Sequence, residues 1–113
     1  MINSREKGAA GERELANILK TYGYDARRSA QYCGANGDAD VIGLPGVHLE
    51  VKRVEKLNLQ AAYEQSRFDA REGEIPVVVH RKNREKWKVT LSLDDFLELY
   101  ESHMTQEGQK IDG

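Results

Sequence analysis

Apolar residues near the N-terminus recur at helical spacing. The positions that carry this pattern, three or four residues apart, are Leu15, Ile18, Leu19 and Tyr22. Such spacing predicts an amphipathic helix over residues 4–22. Ser4 or Asn3 can cap its first turn, and Gly23 is a typical residue at the end of a helix.

An alternation of apolar and polar residues begins at Val47 and predicts a strand. Its apolar members are Val47, Leu49 and Val51, and its polar members are His48, Glu50 and Lys52. Successive side chains of a strand point to opposite faces, so the three polar groups are expected to share one face. A turn at 44–46 separates this strand from a preceding one that contains Asp40 and Ile42.

The rest of the chain supplies three more strands and two more helices. The strands are predicted at 24–30, 75–80 and 86–91. A helix that Asn58 can cap, running to about Glu72, precedes the strand at 75–80. A last helix opens after Ser92 in the manner of a capping box. Residues 31–38 are rich in turn formers and are expected to be a loop.

The predicted order of elements is therefore α-β-β-β-α-β-β-α. Because a helix lies between the strand of Glu50 and the strand at 75–80, those two strands are expected to be parallel. The fold class is α/β, with a central mixed β-sheet flanked by helices. One domain over residues 1–103 accounts for the pattern, and the polar residues 104–113 are expected to be a frayed tail.

Length and composition fit this small globular domain. The chain has 113 residues, of which 39% are hydrophobic and 32% charged, enough to bury a core without a disulfide or a metal. A single cysteine, Cys33, suits a reducing compartment. No apolar run reaches the ~20 residues of a membrane span, and the N-terminus lacks an apolar signal core. These features predict a cytoplasmic protein without a membrane partner.

Charge is distributed unevenly along the chain. The net charge is −2, but residues 94–113 hold six acidic residues and one lysine. That segment carries −5, which leaves +3 on residues 1–93. Basic pairs such as Arg27-Arg28 and Lys52-Arg53 therefore leave room for a phosphate-binding face, although each pair by itself is also typical of a solvated surface.

Asp40, Glu50 and Lys52 provide the candidate chemistry. If Asp40 lies opposite Glu50 across the strand pair, two carboxylates and an ammonium group converge. Two adjacent carboxylates repel each other unless a cation shares the site, and Mg²⁺ prefers oxygen ligands. The pattern indicates metal-assisted phosphodiester hydrolysis, while a surface strand with alternating charges remains the alternative.

A third acid lies on the first helix. Extending its apolar stripe toward the N-terminus reaches Glu12, Gly11 and Gly8. A buried Glu12 needs a partner, either a shared metal or a neighbouring arginine; a surface position just off the stripe is the alternative. Glycine is a poor helix former, so Gly8 and Gly11 suggest that another backbone or a phosphate chain comes close.

The spacing Asp-x9-Glu-x-Lys of Asp40, Glu50 and Lys52 resembles the PD-(D/E)XK nuclease superfamily. Further motifs follow in one order along the chain: Lys7-Gly8, Glu12-Arg13-Glu14-Leu15, Gly23-Tyr24, Arg28-Ser29-Ala30, Asp40-Val41-Ile42-Gly43 and Glu50-Val51-Lys52. Together they resemble the archaeal-type Holliday junction resolvases and their phage-borne relatives over about residues 6–91. The resemblance implies a restriction-endonuclease-like core.

The same resemblance implies a role for each matching residue. The acidic metal ligands would be Glu12, Asp40 and Glu50, holding Mg²⁺ with Mn²⁺ as a substitute. Lys52 would be the catalytic lysine. The DNA-contacting residues would be Arg13, Arg28 and Ser29, to which Lys7 and Lys56 are added as phosphate anchors.

The family cuts four-way DNA junctions as a homodimer, which makes DNA and a second copy the expected partners. The loop at 32–38 is longer than in the archaeal members, and Asp38 offers a second acid near Asp40. Gln65 would face either the site or solvent, and a local hydrogen bond is the expected role of His48. Flaps, nicked duplex or linear duplex remain alternative substrates, and a DNA-binding module without catalysis remains an alternative function.

Overall fold

The computed structural model describes the backbone of residues 4–29 and 39–112 and the side chains within 8–29 and 39–106. Three helices and five strands lie in these ranges, in the predicted order. The helices are α1 (Ser4–Thr21), α2 (Leu59–Asp69) and α3 (Leu93–Asp112). The strands are β1 (Arg27–Arg28), β2 (Val41–Ile42), β3 (Val47–Arg53), β4 (Ile75–Arg81) and β5 (Lys88–Thr90). The predicted loop at 31–38 lies outside the described residues.

The five strands form one sheet in the order β1-β2-β3-β4-β5. β3 and β4 are parallel, with Glu50 opposite Val78 and Lys52 opposite His80, and the other pairs are antiparallel. A parallel pair needs a crossover connection, which α2 provides. The predicted α/β class with a mixed central sheet is confirmed.

The main core lies on the face of the sheet that α1 covers. Leu15 and Ala16 of α1 pack against the odd-numbered residues of the two central strands, which are Leu49, Val51, Val77 and Val79. These side chains are all at least nine-tenths buried. The alternation read from the sequence therefore assigned the core face of β3 correctly.

The even-numbered residues of β3 lie on the opposite face. His48 and Glu50 are both buried there, and α2 packs against β3 and β4 through its buried residues Ala62 and Ser66. This side of the protein is thus a second, more polar interior. It contains the acid of the Glu-x-Lys motif.

A polar clamp fixes the rotation of α1 on the sheet. The carboxylate of Glu14 accepts two hydrogen bonds from the guanidinium of Arg81, at 2.7 and 2.9 Å, and a third from the Trp87 indole N–H at 2.8 Å. The Arg81 guanidinium also lies over the Trp87 ring, 5.5 Å from its centroid. Because Glu14 is held on the β4–β5 side, Glu12 lies on a different side of the same helix.

The two helical glycines differ in their surroundings. A Cβ atom on Gly11 would lie 2.9 Å from the Cβ of Arg53, whereas a Cβ on Gly8 would meet nothing within 4 Å. The close approach expected at these positions is therefore found at Gly11, where α1 crosses the end of β3. At Gly8 no close neighbour is found among the described residues.

Predicted element ends differ from the observed ones in several places. β1 comprises two residues instead of the predicted 24–30. Asn58 caps α2 as expected, its side chain accepting the Ala61 N–H at 3.0 Å, but the helix stops at Asp69 because Ala70 is extended. Helix α3, capped by Ser92, continues to Asp112.

The residues 104–112, which the sequence predicted to be a frayed tail, belong to α3 in the structure. Gln, Glu and Lys are good helix formers, and they outweigh the single Gly108 in that segment. Among the described residues, no helix combines the length and the apolar character that crossing a bilayer requires.

Candidate metal-binding active site

Asp40 lies directly across the β2–β3 pair from Glu50. Val41 pairs with Leu49, and one step further along an antiparallel register brings residue 40 opposite residue 50. The backbone N–H of Asp40 donates to the Leu49 carbonyl at 3.0 Å. Its Oδ2 accepts the N–H of Val51 at 2.9 Å, so backbone contacts hold the carboxylate against β3.

Lys52 completes the strand side of the site. Its Nζ lies 3.7 Å from Oε2 of Glu50. The Glu50 side chain is 10% exposed and that of Lys52 is 38% exposed. The carboxylate is thus largely withdrawn from water, while the ammonium group reaches the surface where a substrate can approach.

Glu12 approaches this pair from α1. It is half-buried, and it is one of the charges that raise the pKa of Asp40. Its Oε1 accepts a hydrogen bond from Nε of Arg28 at 3.0 Å. Of the two partners that the sequence allowed for Glu12, an arginine and a shared metal, the structure supplies the arginine directly.

The electrostatics of the site favour a cation. Burial and then repulsion from Glu50 raise the pKa of Asp40 to about 7, with a smaller contribution from Glu12, against the opposing effects of the Val51 N–H and Lys52. A carboxyl group whose pKa lies near neutral pH and which has two acids beside it is stabilised when a cation replaces its proton. An all-oxygen donor set suits a hard divalent ion, so Glu12, Asp40 and Glu50 fit Mg²⁺ or Mn²⁺.

The residues predicted to contact DNA near the site lie on α1, on β1 and directly after β1. Arg28 and Arg13 are exposed. The backbone N–H of Ser29 donates to the Asp40 carbonyl at 3.0 Å, which joins this residue to the acidic cluster. The structure therefore brings Arg28 and Ser29 to the same place as the acids, while their roles stay predictions.

Of the remaining candidates, two are exposed and two lie wholly or partly outside the described residues. Lys56 is exposed and lines a separate cleft of about 650 Å³ at the end of β3. Gln65 is exposed and donates to Asp69 of its own helix at 2.7 Å. The backbone of Lys7 belongs to α1, but its side chain is outside the described residues. Asp38 also lies outside them.

The sequence missed a group of residues beside Glu50. His48 is 2% exposed. Its Nε2 lies 3.7 Å from Oε1 of Glu50, and its Nδ1 lies 3.9 Å from Oε1 of Glu74. Asp69, the last residue of α2, belongs to the same group. The alternation of β3 identified the shared face of His48 and Glu50, but only the docking of α2 brings Asp69 there.

The hydrogen bond predicted for His48 is not made by Nε2. Both separations from its ring nitrogens exceed hydrogen-bonding distance, and Nε2 has no hydrogen-bond partner among the described residues. Burial alone would lower the pKa of His48, but the carboxylates of Glu50, Glu74 and Asp69 outweigh it and raise the pKa. The surroundings of this ring are therefore strongly negative.

Comparison with known proteins bears on both fold and chemistry. The structure is similar to the 1.6 Å structure of Hjc, a Holliday junction resolvase from the archaeal hyperthermophile Archaeoglobus fulgidus, with a TM-score of 0.59 and 27% sequence identity. The similarity covers 75% of this chain and 72% of the resolvase chain. The comparison with curated proteins found no match.

A family model described as "Phage putative PDDEXK endonuclease" matches residues 3–111. That span includes α1 and the whole sheet, and it contains Glu12, Asp40, Glu50 and Lys52 in the order that the superfamily motif requires. The chain therefore belongs to this phage family of PD-(D/E)XK endonucleases.

Proposed function

We propose that the protein is a Mg²⁺-dependent endonuclease that cleaves branched DNA, acting as a homodimer on Holliday junctions. The observation that carries the proposal is the placement of Asp40 opposite Glu50, with Lys52 3.7 Å from the Glu50 carboxylate. The similarity to an archaeal Holliday junction resolvase over three quarters of the chain supports a junction as the substrate.

Glu12, Asp40 and Glu50 would hold the divalent ion. Such an ion polarises the scissile phosphate and lowers the pKa of a bound water. The Val51 N–H fixes Asp40, so one ligand is positioned before any ion binds. The oxygen-only donor set favours Mg²⁺, with Mn²⁺ as a substitute.

Lys52 acts on the substrate side of the site. Its partly exposed ammonium group stands beside the buried Glu50, where it orients a water molecule or offsets the negative charge that develops on phosphorus. Arg28, Arg13 and Ser29 would position the phosphate backbone near the cut, and Lys7 and Lys56 would anchor phosphates further away. These contacts read no base sequence.

Helix α3 offers a surface for the second copy. Five residues form a stripe at spacings of three, four, seven and eleven, and all are more than two-fifths exposed: Leu93, Phe96, Leu97, Tyr100 and Met104. We call this set the α3 stripe. Apolar surface of this kind on one face of a helix is typical of a partner-binding site, and a homodimer would cover it on both copies.

Cleavage assays with matched substrates test the proposal. The purified protein should cut a synthetic four-way junction in Mg²⁺ and leave linear duplex of the same sequence intact. Asp40→Asn and Lys52→Ala should each lose cleavage by at least about 100-fold, while both still bind the junction. Glu72→Gln, which changes an exposed acid of the α2–β4 connection, serves as the control variant.

Three outcomes would contradict it. Cutting of linear duplex, flaps or nicked duplex as fast as the junction would replace the resolvase assignment with a general structure-tolerant nuclease. Binding of junctions with no cleavage at any Mg²⁺ or Mn²⁺ concentration would indicate a DNA-binding module. Unchanged cleavage in both Asp40→Asn and Lys52→Ala would show that these residues do not form the catalytic site.

A further inference from the structure

The polar interior between β3 and α2 contains a donor set that shares only Glu50 with the one assigned above. One potential ligand atom each from His48, Glu50 and Asp69 lies within 4.8 Å of the other two. His48 and Glu50 are buried and Asp69 is half-buried. Asp40 and Glu12 take no part in this cluster, and His48 lies near Oε1 of Glu50 whereas Lys52 lies near Oε2.

The imidazole provides the observation that points to a ligand. His48 is 98% buried, since only 2% of it is exposed, and its Nε2 has no hydrogen-bond partner among the described residues. That atom faces Oε1 of Glu50 at 3.7 Å, too far for a hydrogen bond but suited to two ligands of one ion. A buried polar atom without a partner is costly, and a cation bound there would remove the cost.

Neighbouring groups orient the ring and favour positive charge. The Glu74 carboxylate lies on the Nδ1 side at 3.9 Å and is itself held by the backbone N–H of Arg71 at 2.8 Å. A carboxylate on that side favours the tautomer that leaves the Nε2 lone pair free for a ligand. Asp69 ends α2, and the C-terminal end of a helix attracts cations.

A cavity adjoins the imidazole. A cavity of about 200 Å³ reaches His48 from the side of the β2–β3 turn, and it is lined by Leu44, Val47, Arg71 and Glu74 among others. The imidazole is therefore buried from bulk water but borders this cavity, which neither Glu50 nor Asp69 lines.

From this geometry we infer that His48, Glu50 and Asp69 form a second divalent-cation site, selective for a borderline transition metal such as Co²⁺ or Zn²⁺ over Mg²⁺. Imidazole nitrogen is a good ligand for those ions and a poor one for Mg²⁺. Glu50 would serve both sites, with Oε2 on the Lys52 side and Oε1 on the His48 side. The inference rests on the proposed function only in this sharing of Glu50.

Cobalt binding to the full chain without DNA tests the inference, with bound metal measured by equilibrium dialysis and the visible absorption of Co²⁺. The wild type should bind two Co²⁺ per chain, and excess Mg²⁺ should displace one of them. Asp40→Asn should keep the Mg²⁺-resistant ion, whereas Asp69→Asn should lose it and keep the other. Glu50→Gln should lose both.

Two further variants keep the test decisive. His48→Asn should behave as Asp69→Asn does. If the variant of the buried His48 does not fold, Asp69→Asn still tests the inference, because Asp69 is only half-buried. Glu72→Gln, which removes an acid three residues after Asp69, should retain two ions. A wild type that binds one Co²⁺, or an Asp69→Asn variant that retains a Mg²⁺-resistant ion, would overturn the inference.

These outcomes are separable from the nuclease assignment. A protein that cuts junctions but binds a single Co²⁺ lacks the second site and keeps its proposed function. A protein that binds two Co²⁺ in the predicted pattern but cuts no DNA has the second site and loses the proposed function.

Discussion

Arg28 of β1 and Glu12 of α1 form an ion pair in which Nε of the arginine lies 3.0 Å from Oε1 of the carboxylate. The pair joins a residue predicted to bind DNA to a residue predicted to bind the metal. An arginine in this position neutralises one acid of the cluster in the absence of a cation. In the proposed function, a metal ion would give Glu12 and a phosphate would give Arg28 a new ligand of opposite charge.

Arg28→Ala should therefore weaken DNA binding and cleavage together. The slope of log K for junction binding against log salt concentration should fall by about 1, because one phosphate contact is lost. Fluorescence anisotropy over a salt series measures the slope. Arg67→Ala, which removes an exposed arginine of α2 paired with Glu64, should leave it unchanged; an equal loss in both variants would refute a specific role for Arg28.

Asp40→Asn should stabilise the metal-free protein while it abolishes cleavage. In EDTA the pKa of Asp40 is 3.8 in the unfolded chain and about 7 in the folded chain. The unfolded chain therefore releases this proton at a lower pH than the folded chain does. The folded state therefore binds more protons in this window, and the contribution of Asp40 to stability falls as the pH rises through it. Above pH 7 the variant should be more stable than the wild type by on the order of 1–4 kcal/mol.

Urea unfolding in EDTA at pH 4, 6 and 8 measures that difference. The gap between the two proteins should open between the first and the last pH and close when Mg²⁺ is added, since a bound cation stabilises the wild type alone. Asp25→Asn, a change at an exposed acid, is the control. A variant less stable than the wild type at pH 8 would show that the carboxylate is not under repulsion.

Glu14→Gln should loosen the attachment of α1 to β4. Its hydrogen bond to Arg81 is the main cause that lowers the pKa of Glu14, so the stabilisation is present above the ordinary pKa of 4.5 and is lost as the pH falls through the lowered value. The expected loss near pH 7 is about 1–2 kcal/mol, at the lower end for charged hydrogen bonds because the side chain is 33% exposed.

Chemical denaturation at pH 7 and pH 3 checks this expectation. The difference in the free energy of unfolding between variant and wild type should be smaller at pH 3. Glu64→Gln removes the carboxylate of an exposed ion pair with Arg67 within α2 and should change stability by less than about 0.5 kcal/mol. Equal effects of the two substitutions would mean that the clamp contributes no more than a surface pair.

Gly11→Ala and Gly8→Ala should act in opposite directions. A methyl group at Gly11 would press on the Cβ of Arg53, an atom next to the backbone of β3 that cannot move away cheaply. A loss of about 1–3 kcal/mol is expected. At Gly8, where the space is open, alanine should gain up to about 1 kcal/mol from helix propensity. Thermal unfolding of both variants decides the matter, and a stabilising Gly11→Ala would mean that α1 is not held against β3 at this point.

Substitutions in the α3 stripe should dissociate the proposed dimer. The wild type is expected to sediment as a dimer of about 26 kDa, twice the 12.8 kDa of one chain. Leu97→Glu together with Tyr100→Glu should give monomers, because burying either charge without a partner is unfavourable. Phe68→Ser changes the exposed aromatic side chain of α2, 82% accessible, and should leave the dimer intact. Dimers that persist in the double variant would place the interface elsewhere.

Local sequence patterns determined much of this fold because they depend on neighbouring residues along the chain. The alternation from Val47 to Lys52 fixed the faces of β3, and Asn58 and Ser92 marked the starts of α2 and α3. The spacing of Asp40, Glu50 and Lys52 identified the acidic pair, since a single short turn connects the two strands that carry it.

The tertiary structure alone decided what depends on contacts distant in sequence. The sequence placed Glu14 in a helix but gave no sign of its clamp to Arg81, 67 residues away. It offered Glu12 a metal or an arginine, and the packing of α1 beside β1 chose Arg28. It gave His48 an ordinary role, whereas the docking of the C-terminal end of α2 surrounds that ring with carboxylates. Periodicity reports which face a residue occupies, and only the packing of elements determines what that face meets.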